Sequence, residues 1–241
     1  MEQLKDFLRH VVPENPSSLK PSECGEWVNE SPVATCSACS DLRFIVLDKP
    51  LGDPLYGKAL PCRACNMSFR QTFANFEDIP GTEKALKASK RLVSGELTWL
   101  LLMGPPGAGK SHLLHAIEAE IRYDYGQVLY KGVPDLMEEI KAGFDDHTSE
   151  ARVLNAMSVE TLLLDDLGAG RDVATPWVKE QVYRIVNRRY ERQLPTAITT
   201  NLDFDGIVRA HDGRLASRLF DRHVGEQVEM TAKDYRTGKE W

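Results

Sequence analysis

The sequence predicts an α/β fold in which helices cover both faces of a parallel sheet, with a small cysteine-bearing domain at the N-terminus. Short apolar runs alternate with helical patterns from about residue 83 onward, which is typical of a parallel sheet. A glycine-rich loop follows the first of these runs, and four of the five cysteines lie within residues 36–65. We therefore expect core burial to stabilise the α/β part, whereas the cysteine-bearing part needs a further link that its cysteines can supply.

The alternation of elements begins after Pro80-Gly81, which end an aromatic-rich connector. The pattern predicts helices at 83–93, at 111–125, from Pro134 onward and at 176–193. It predicts strands at 97–103, 128–130, 159–164 and 196–199. The predicted domains are the cysteine-bearing domain at 1–68, the connector at 69–82 and the α/β domain at 83–241.

The composition indicates a soluble globular protein, because 42% of the 241 residues are hydrophobic and 27% are charged. The net charge of −6 excludes a strongly basic protein of the histone type, but a local basic patch remains compatible with nucleic-acid binding. The sequence contains no run of 18 apolar residues and no secretory signal at Met1–His10. We therefore expect a cytoplasmic protein that has no membrane partner.

The glycine-rich loop fits the phosphate-binding pattern G-x-x-x-x-G-K-[ST]. Its glycines let backbone N–H groups surround phosphates, and the helix that follows points its positive end at them. We expect Lys110 to reach the β and γ phosphates of ATP or ADP and the Ser111 hydroxyl to bind Mg²⁺. The expected nucleotide-binding residues are consecutive: Gly104, Pro105, Pro106, Gly107, Ala108, Gly109, Lys110, Ser111 and His112.

Polar residues end two of the predicted strands. Asp165 and Asp166 directly follow an apolar run, and Asn201 follows the next strand. Open α/β sheets bind ligands at the carboxyl ends of their strands. We expect Asp165 to support Mg²⁺ and Asp166 to orient an attacking water. Two interpretations of Asn201 stay open. Its side chain reaches the γ-phosphate or its water from the side opposite the aspartates, or the residue only ends the strand as a turn former.

The cysteines form two C-x-x-C pairs with 22 residues between them. Each pair can form a knuckle, and two knuckles complete a tetrahedral Zn²⁺ site. A redox pair or unconnected buried cysteines are the alternatives, and two matching pairs disfavour both. The expected zinc ligands are Cys36, Cys39, Cys62 and Cys65.

Six motifs in a fixed order resemble one known family over about residues 70–241. They are Phe73-Ala-Asn-Phe76, Gly104–Ser111, Leu162–Gly168, Thr199-Thr-Asn201, Ser217–Arg222 and Asp234-Tyr-Arg236. This set is similar to that of the DnaC/DnaI-type helicase loaders, which are AAA+ P-loop NTPases related to the IstB-type transposition helper ATPases. The resemblance implies an AAA+ core behind a four-cysteine zinc-binding domain.

The resemblance also implies roles for three polar residues beyond the phosphate loop. Asn201 matches the sensor-1 residue, Arg222 the arginine finger that completes a neighbouring subunit's ATP site, and Arg236 the sensor-2 arginine. Arg218 is the second candidate for the finger. This chain has Asp166 where many AAA+ ATPases have glutamate, and the shorter carboxylate holds a water less well.

The function implied by the resemblance is that of an ATP-dependent loader. Such a protein binds a replicative DnaB-type helicase and single-stranded DNA, self-associates through AAA+ interfaces and hydrolyses ATP. Arg184, Arg188, Arg189 and Arg192 recur along one predicted helix, where they line a DNA channel or form a solvated face.

Three alternatives stay open. The first is an IstB-type helper ATPase on duplex DNA, and the second is a zinc adaptor that does not hydrolyse ATP. The third, a small-molecule kinase, is disfavoured because no basic lid segment is evident.

Overall fold

The computed structural model describes residues 36, 39–40, 42, 44–46, 50–53, 56–62, 71–124, 126–168, 174–235 and 237. The chain divides into two compact units, Met1–Cys65 and Asn66–Trp241. Within the described residues, none of the helices has the length and hydrophobicity that crossing a lipid bilayer requires.

The smaller unit contains an antiparallel pair of short strands, β1 (Phe44–Val46) and β2 (Ala59–Pro61). Cys39 lies before β1 and Cys62 directly after β2, so that the pairing of the strands brings the two thiols to the same end. An isolated two-stranded hairpin is at best marginally stable in water. The described hairpin therefore needs further stabilisation, which a cross-link or a metal ion can supply.

The larger unit contains a five-stranded parallel sheet in the order β4-β5-β6-β3-β7. The strands are β3 (Trp99–Met103), β4 (Val128–Gly132), β5 (Thr161–Leu167), β6 (Thr196–Thr200) and β7 (Gly225–Glu229). Four of them were predicted from the sequence, and the predicted parallel sheet is confirmed. The fifth strand, β7, is an edge strand with the sequence Gly-Glu-Gln-Val-Glu. Only one of these residues is apolar, so the hydrophobic pattern gave no signal for it.

The sheet is buried on both faces because alternate strand residues enter two separate cores. In β5, Leu162 and Leu164 pack in one core, and Leu163 packs in the other. All three side chains are at most 2% exposed. This explains why the run is apolar throughout instead of alternating.

Seven α-helices surround the sheet in the described part of this unit. They are α1 (Glu83–Val93), α2 (Lys110–Tyr123), α3 (Val133–Ala142), α4 (Ser149–Ser158), α5 (Pro176–Arg192), α6 (Phe204–Ala210) and α7 (Gly213–Leu219). The sequence pattern predicted α1, α2, α3 and α5 but missed α4, α6 and α7. Asp203 and Asp212 cap α6 and α7, accepting hydrogen bonds from the N–H groups of Gly206 (2.7 Å) and Leu215 (2.9 Å). These caps were a sequence signal for both helices.

Both interpretations of the arginine row on α5, a DNA channel and a solvated face, are wrong for Arg189, which is 0% exposed. Arg184 is ion-paired with Glu150 at 2.9 Å, whereas Arg188 and Arg192 are exposed. The helical period explains the split, because Arg189 falls on the face of α5 that packs on the core.

Candidate nucleotide-binding site

A cavity of about 550 Å³ opens at the carboxyl end of the sheet. It brings together most of the residues predicted to bind nucleotide, namely Pro106–His112, Asp165, Asp166 and Asn201. Its other lining residues come from the connector, β6 and the C-terminal segment: Gln71, Asn75, Phe76, Glu77, Ile79, Thr82, Thr199 and Tyr235. Arg222 is not part of the cavity lining, and Arg236 lies outside the described residues.

Two glycines of the phosphate loop are required by both conformation and space. Gly104 and Gly107 have φ of 146° and 79°, a left-handed region that side chains rarely adopt. A Cβ on Gly104 would lie 2.3 Å from the carbonyl oxygen of Met230, and one on Gly107 would lie 1.9 Å from a carboxylate oxygen of Asp234. The loop is therefore shaped by close packing against the C-terminal segment.

Lys110 begins α2, and its side chain is only 8% exposed. Its ammonium group donates hydrogen bonds of 2.7 Å to the carbonyl oxygens of Gly104 and Pro105. A cation is thus held beside the loop, at the N-terminal end of a 14-residue helix. The helix end and the ammonium group together make a site for an anion of the phosphate type.

Asp165 lies near the end of β5, where two neighbouring strands each supply a hydroxyl donor. The Thr199 hydroxyl donates to Oδ1 at 2.5 Å and the Tyr130 hydroxyl to Oδ2 at 2.8 Å. Neither donor was predicted from the sequence as a partner of Asp165. Thr199 was detectable as part of the Thr-Thr-Asn motif, whereas nothing in the sequence pointed to Tyr130.

Asp166 lies in an irregularity of β5, since the pairing with β6 shifts register between Leu164 and Leu167. Its φ of 60° is left-handed, and its N–H donates to the Thr199 hydroxyl at 2.8 Å. A bulge of this kind re-aims a side chain, and here the carboxylate lines the cavity. Burial, together with the charge of Asp165, raises the pKa of Asp166, and the Lys110 cation partly opposes the rise.

Asn201 directly follows β6 and lies opposite Asp166. Its side-chain amide donates to a carboxylate oxygen of Asp166 over 3.4 Å. The two side chains are therefore neighbours on the cavity wall, with room for a small molecule to replace their long hydrogen bond.

His112 connects the phosphate loop helix to the connector that precedes the sheet. Its Nε2 lies 3.0 Å from the carbonyl oxygen of Thr72 and 3.1 Å from the side-chain oxygen of Asn75. The edge of the Phe76 ring meets the imidazole at a centroid distance of 5.1 Å. His112 thus fixes the connector against the loop, and the connector forms one wall of the cavity.

The two arginine-finger candidates differ in their surroundings. Arg218 donates to the side-chain oxygen of Asn187 at 2.5 Å and stacks 5.0 Å above the Tyr183 ring. Arg222 is exposed and makes no ion pair with the residues that the structure describes. Arg222 is therefore available to a partner, whereas Arg218 is occupied within its own chain.

In the smaller unit, three of the four predicted zinc ligands come together. The sulfur atoms of Cys36, Cys39 and Cys62 lie within 4.8 Å of one another, and those of Cys36 and Cys62 are 3.8 Å apart. A tetrahedral ion with Zn–S bonds of about 2.3 Å separates its sulfur ligands by about 3.8 Å. The cluster is therefore compatible with a zinc site, although Cys65 lies outside the described residues.

The chain resembles several known proteins. The family model of the IstB-like ATP binding protein matches residues 62–240. The replicative helicase loader DnaC of Escherichia coli K12 is 30% identical over 182 residues, which cover 70% of this chain and 72% of DnaC. The phage-like element PBSX protein XkdC of Bacillus subtilis is 32% identical over 126 residues. That match covers 51% of this chain but less than half, 46%, of XkdC.

Among solved structures, the crystal structure of DnaI matches with a TM-score of 0.57 and 25% identity. The match covers 69% of this chain and 90% of DnaI. The predicted fold class is confirmed by the parallel sheet and by these neighbours. The chain therefore belongs to the family of IstB-like ATP-binding proteins and is homologous to the DnaC and DnaI helicase loaders.

Proposed function

We propose that this protein is a cytoplasmic, ATP-dependent loader that places a replicative DnaB-type helicase on single-stranded DNA. One observation carries the proposal. Most of the phosphate loop, the two aspartates near the end of β5 and the asparagine after β6 line a single cavity, in a chain that is 30% identical to a replicative helicase loader.

The proposed roles within the cavity follow from charge and position. The loop amides and Lys110 hold the phosphates of ATP, and the Ser111 hydroxyl and Asp165 hold Mg²⁺. The cation neutralises charge on the β and γ phosphates when it is bound. Asp166 and Asn201 bracket the space for an attacking water, and Asp166 orients that water toward the γ-phosphate.

Two arginines complete the proposed reaction. Arg236, which follows the segment packed on Gly107, senses the γ-phosphate within its own subunit. Arg222 acts in the site of a neighbouring subunit, so that the protein self-associates to hydrolyse ATP. The exposure of Arg222 and its lack of an ion pair among the described residues support a role outside its own chain.

The cysteine-bearing unit contacts the helicase in this proposal. Zinc bound by Cys36, Cys39, Cys62 and Cys65 replaces the hydrophobic core that the short hairpin lacks. The core binds single-stranded DNA, with the exposed Arg188 and Arg192 of α5 as candidate phosphate contacts.

The second candidate function is a transposition helper ATPase acting on duplex DNA. The match to the IstB-like family model favours it, because that model covers the whole ATPase core. Co-purification separates the two candidates. A loader retains the host's replicative helicase and prefers single-stranded DNA, whereas a helper ATPase retains a transposase and prefers duplex DNA.

The nucleotide site is tested with Lys110→Ala. The change removes the cation beside the phosphates, so ATP affinity or turnover should fall. We expect a loss on the order of 100-fold, which is typical when an active site loses one group that stabilises negative charge. Thermal unfolding of the variant without nucleotide should match that of the wild type. A variant that binds and hydrolyses ATP like the wild type contradicts the site. Binding of ATP by the wild type without any hydrolysis, even with helicase and DNA present, indicates an adaptor instead.

The zinc proposal is tested by elemental analysis of protein purified without chelators. One Zn²⁺ per chain is expected, and Cys36→Ser or Cys62→Ser should lose it together with helicase binding. ATP binding should persist in both variants, because the ATPase core does not supply the ligands. Wild-type protein that contains no metal contradicts the proposal.

A further inference from the structure

Tyr130 lies on β4 and contacts Asp165, which lies on the neighbouring strand β5. Its hydroxyl donates to Oδ2 of Asp165 at 2.8 Å. Its ring packs on the imidazole of His115 from α2, with the ring centroids 4.1 Å apart and an interplanar angle of 33°. The ring is therefore held in place from one side, and its hydroxyl points at the carboxylate of the proposed Mg²⁺ ligand.

Each carboxylate oxygen of Asp165 accepts one hydrogen bond from a hydroxyl group: Oδ1 from Thr199 and Oδ2 from Tyr130. An ionised carboxylate has about four lone-pair sites, so one donor on each oxygen leaves the carboxylate able to bind a cation. Hydroxyl donors carry no charge, and the full negative charge of Asp165 therefore remains available. An arginine or lysine partner would neutralise it.

Fixing the carboxylate plane needs both donors. The terminal torsion of aspartate is broad, so a carboxylate with a single donor rotates about its Cβ–Cγ bond. Thr199 comes from β6 and Tyr130 from β4, which are the two strands that flank β5. A phenolic hydroxyl carries its proton at neutral pH, so Tyr130 acts as a donor to the carboxylate.

We propose that Tyr130 is a positioning residue that presets the Asp165 carboxylate for the divalent cation of the bound nucleotide. This inference rests on the proposed ATP·Mg²⁺ site. It assigns Tyr130 to cation binding and not to the binding of the nucleotide itself, because among the described residues the hydroxyl hydrogen-bonds only to the cation's ligand, Asp165.

The test compares Tyr130→Phe with the wild type. Phenylalanine keeps the ring against His115 and removes only the hydroxyl. Binding of a fluorescent ATP analogue is measured first in EDTA and then over a Mg²⁺ titration, and the half-saturating Mg²⁺ of hydrolysis is measured as well. We expect unchanged affinity in EDTA and about a 10-fold higher half-saturating Mg²⁺, as is typical when a partner of a metal ligand is removed.

Two sets of controls accompany this variant. Tyr123→Phe removes a hydroxyl from a tyrosine that is 56% exposed and lies on α2, and its Mg²⁺ dependence should equal that of the wild type. Thr199→Val should raise the half-saturating Mg²⁺ concentration as Tyr130→Phe does. Thr199→Ser keeps the hydroxyl, so its half-saturating Mg²⁺ concentration should lie close to that of the wild type.

The outcomes separate this inference from the function on which it rests. An unchanged Mg²⁺ titration for Tyr130→Phe overturns the positioning role, as does an equal loss of affinity with and without Mg²⁺, which indicates a structural role. If Lys110→Ala binds nucleotide normally, the nucleotide site itself is wrong, whatever Tyr130→Phe does.

Discussion

The two ends of the parallel sheet hold charged side chains in opposite ways, since Asp166 at one end is exposed and Arg189 at the other is buried. At the carboxyl end, the Asp166 side chain makes only one long hydrogen bond, 3.4 Å from Asn201, among the described residues, and its backbone is left-handed. At the amino end, the Arg189 guanidinium is 0% exposed and donates five hydrogen bonds. One charge is thus kept available to a ligand, and the other is used entirely by the fold.

The acceptors of Arg189 are neutral and come from two segments, residues 156–160 and 195–196. They are the Thr196 hydroxyl and the backbone carbonyl oxygens of Ala156, Val159, Glu160 and Pro195, at 2.7–3.2 Å. Two of these carbonyls lie at the C-terminal end of α4, where the helix dipole favours a cation. Burial lowers the pKa of Arg189 to about 10, so the group remains charged at neutral pH.

This difference teaches how to separate structural from functional charges in the same sheet. A charged group whose hydrogen-bonding capacity is fully used within the fold has none left for a ligand, whereas a group with few partners can still bind one. Residue type does not make the distinction, since α5 carries both Arg189 and the exposed Arg188 one position apart.

The largest effect is expected for Arg222→Ala, since Arg222 is the exposed arginine proposed to act in trans. Removing an arginine finger lowers turnover by ~10³-fold, while ATP binding should persist. Steady-state hydrolysis and nucleotide binding are the measurements. Mixing this variant with Lys110→Ala protein should restore part of the activity, because one mixed interface pairs an intact loop with an intact finger.

The control for Arg222→Ala is Arg218→Ala, which removes an arginine that is occupied within its own chain. A greater loss of turnover for the Arg218 variant would transfer the finger role to Arg218. Normal turnover by both variants would exclude a mechanism in trans, as would the absence of rescue under conditions in which the wild type assembles.

The next effect concerns stability and the amino end of the sheet. Arg189→Met removes the buried cation and leaves several buried carbonyl groups without a donor, so we expect the free energy of unfolding to fall by about 3 kcal/mol. Denaturant unfolding measures this change. Arg188→Met, at the neighbouring exposed position, should change it little. Equal stability of the two variants would refute the assignment of Arg189 as a structural charge.

The smallest effect involves His211, which is 4% exposed and whose Nδ1 has no hydrogen-bond partner among the described residues. Burial lowers its pKa from the usual 6.5, and the nearby Lys179 adds to the fall. Because the folded pKa is depressed, the stability contributed by the neutral imidazole is present above the unfolded pKa and is lost as the pH falls through the folded pKa.

His211→Leu should therefore reduce the loss of stability on acidification from about pH 7 to pH 5. Melting temperatures at the two pH values measure the difference. A variant and wild type with parallel pH dependence would show that His211 does not contribute to acid sensitivity.

Much of the core was predictable because its signals are local. The loop Gly104–Ser111 was identified from its own residues, and the strand before it and the helix after it were placed within two residues of their observed bounds. The hydroxyl donors Thr199 and Tyr130 were not identified as partners of Asp165. Their role depends on which strands lie beside β5, and the order β4-β5-β6 is not encoded in any local pattern.

Sequence alone determined that this protein has a phosphate-binding loop, acidic residues directly after an apolar run and two cysteine pairs that suit a metal. Each of these follows from residue types at short spacing, because backbone geometry over a few residues is nearly fixed by covalent structure and local sterics. The tertiary structure alone decided which charges face the cavity and which are buried. It placed Asp165 between two hydroxyls, left Arg222 exposed and enclosed Arg189, because burial and hydrogen bonding depend on contacts between residues far apart in the chain.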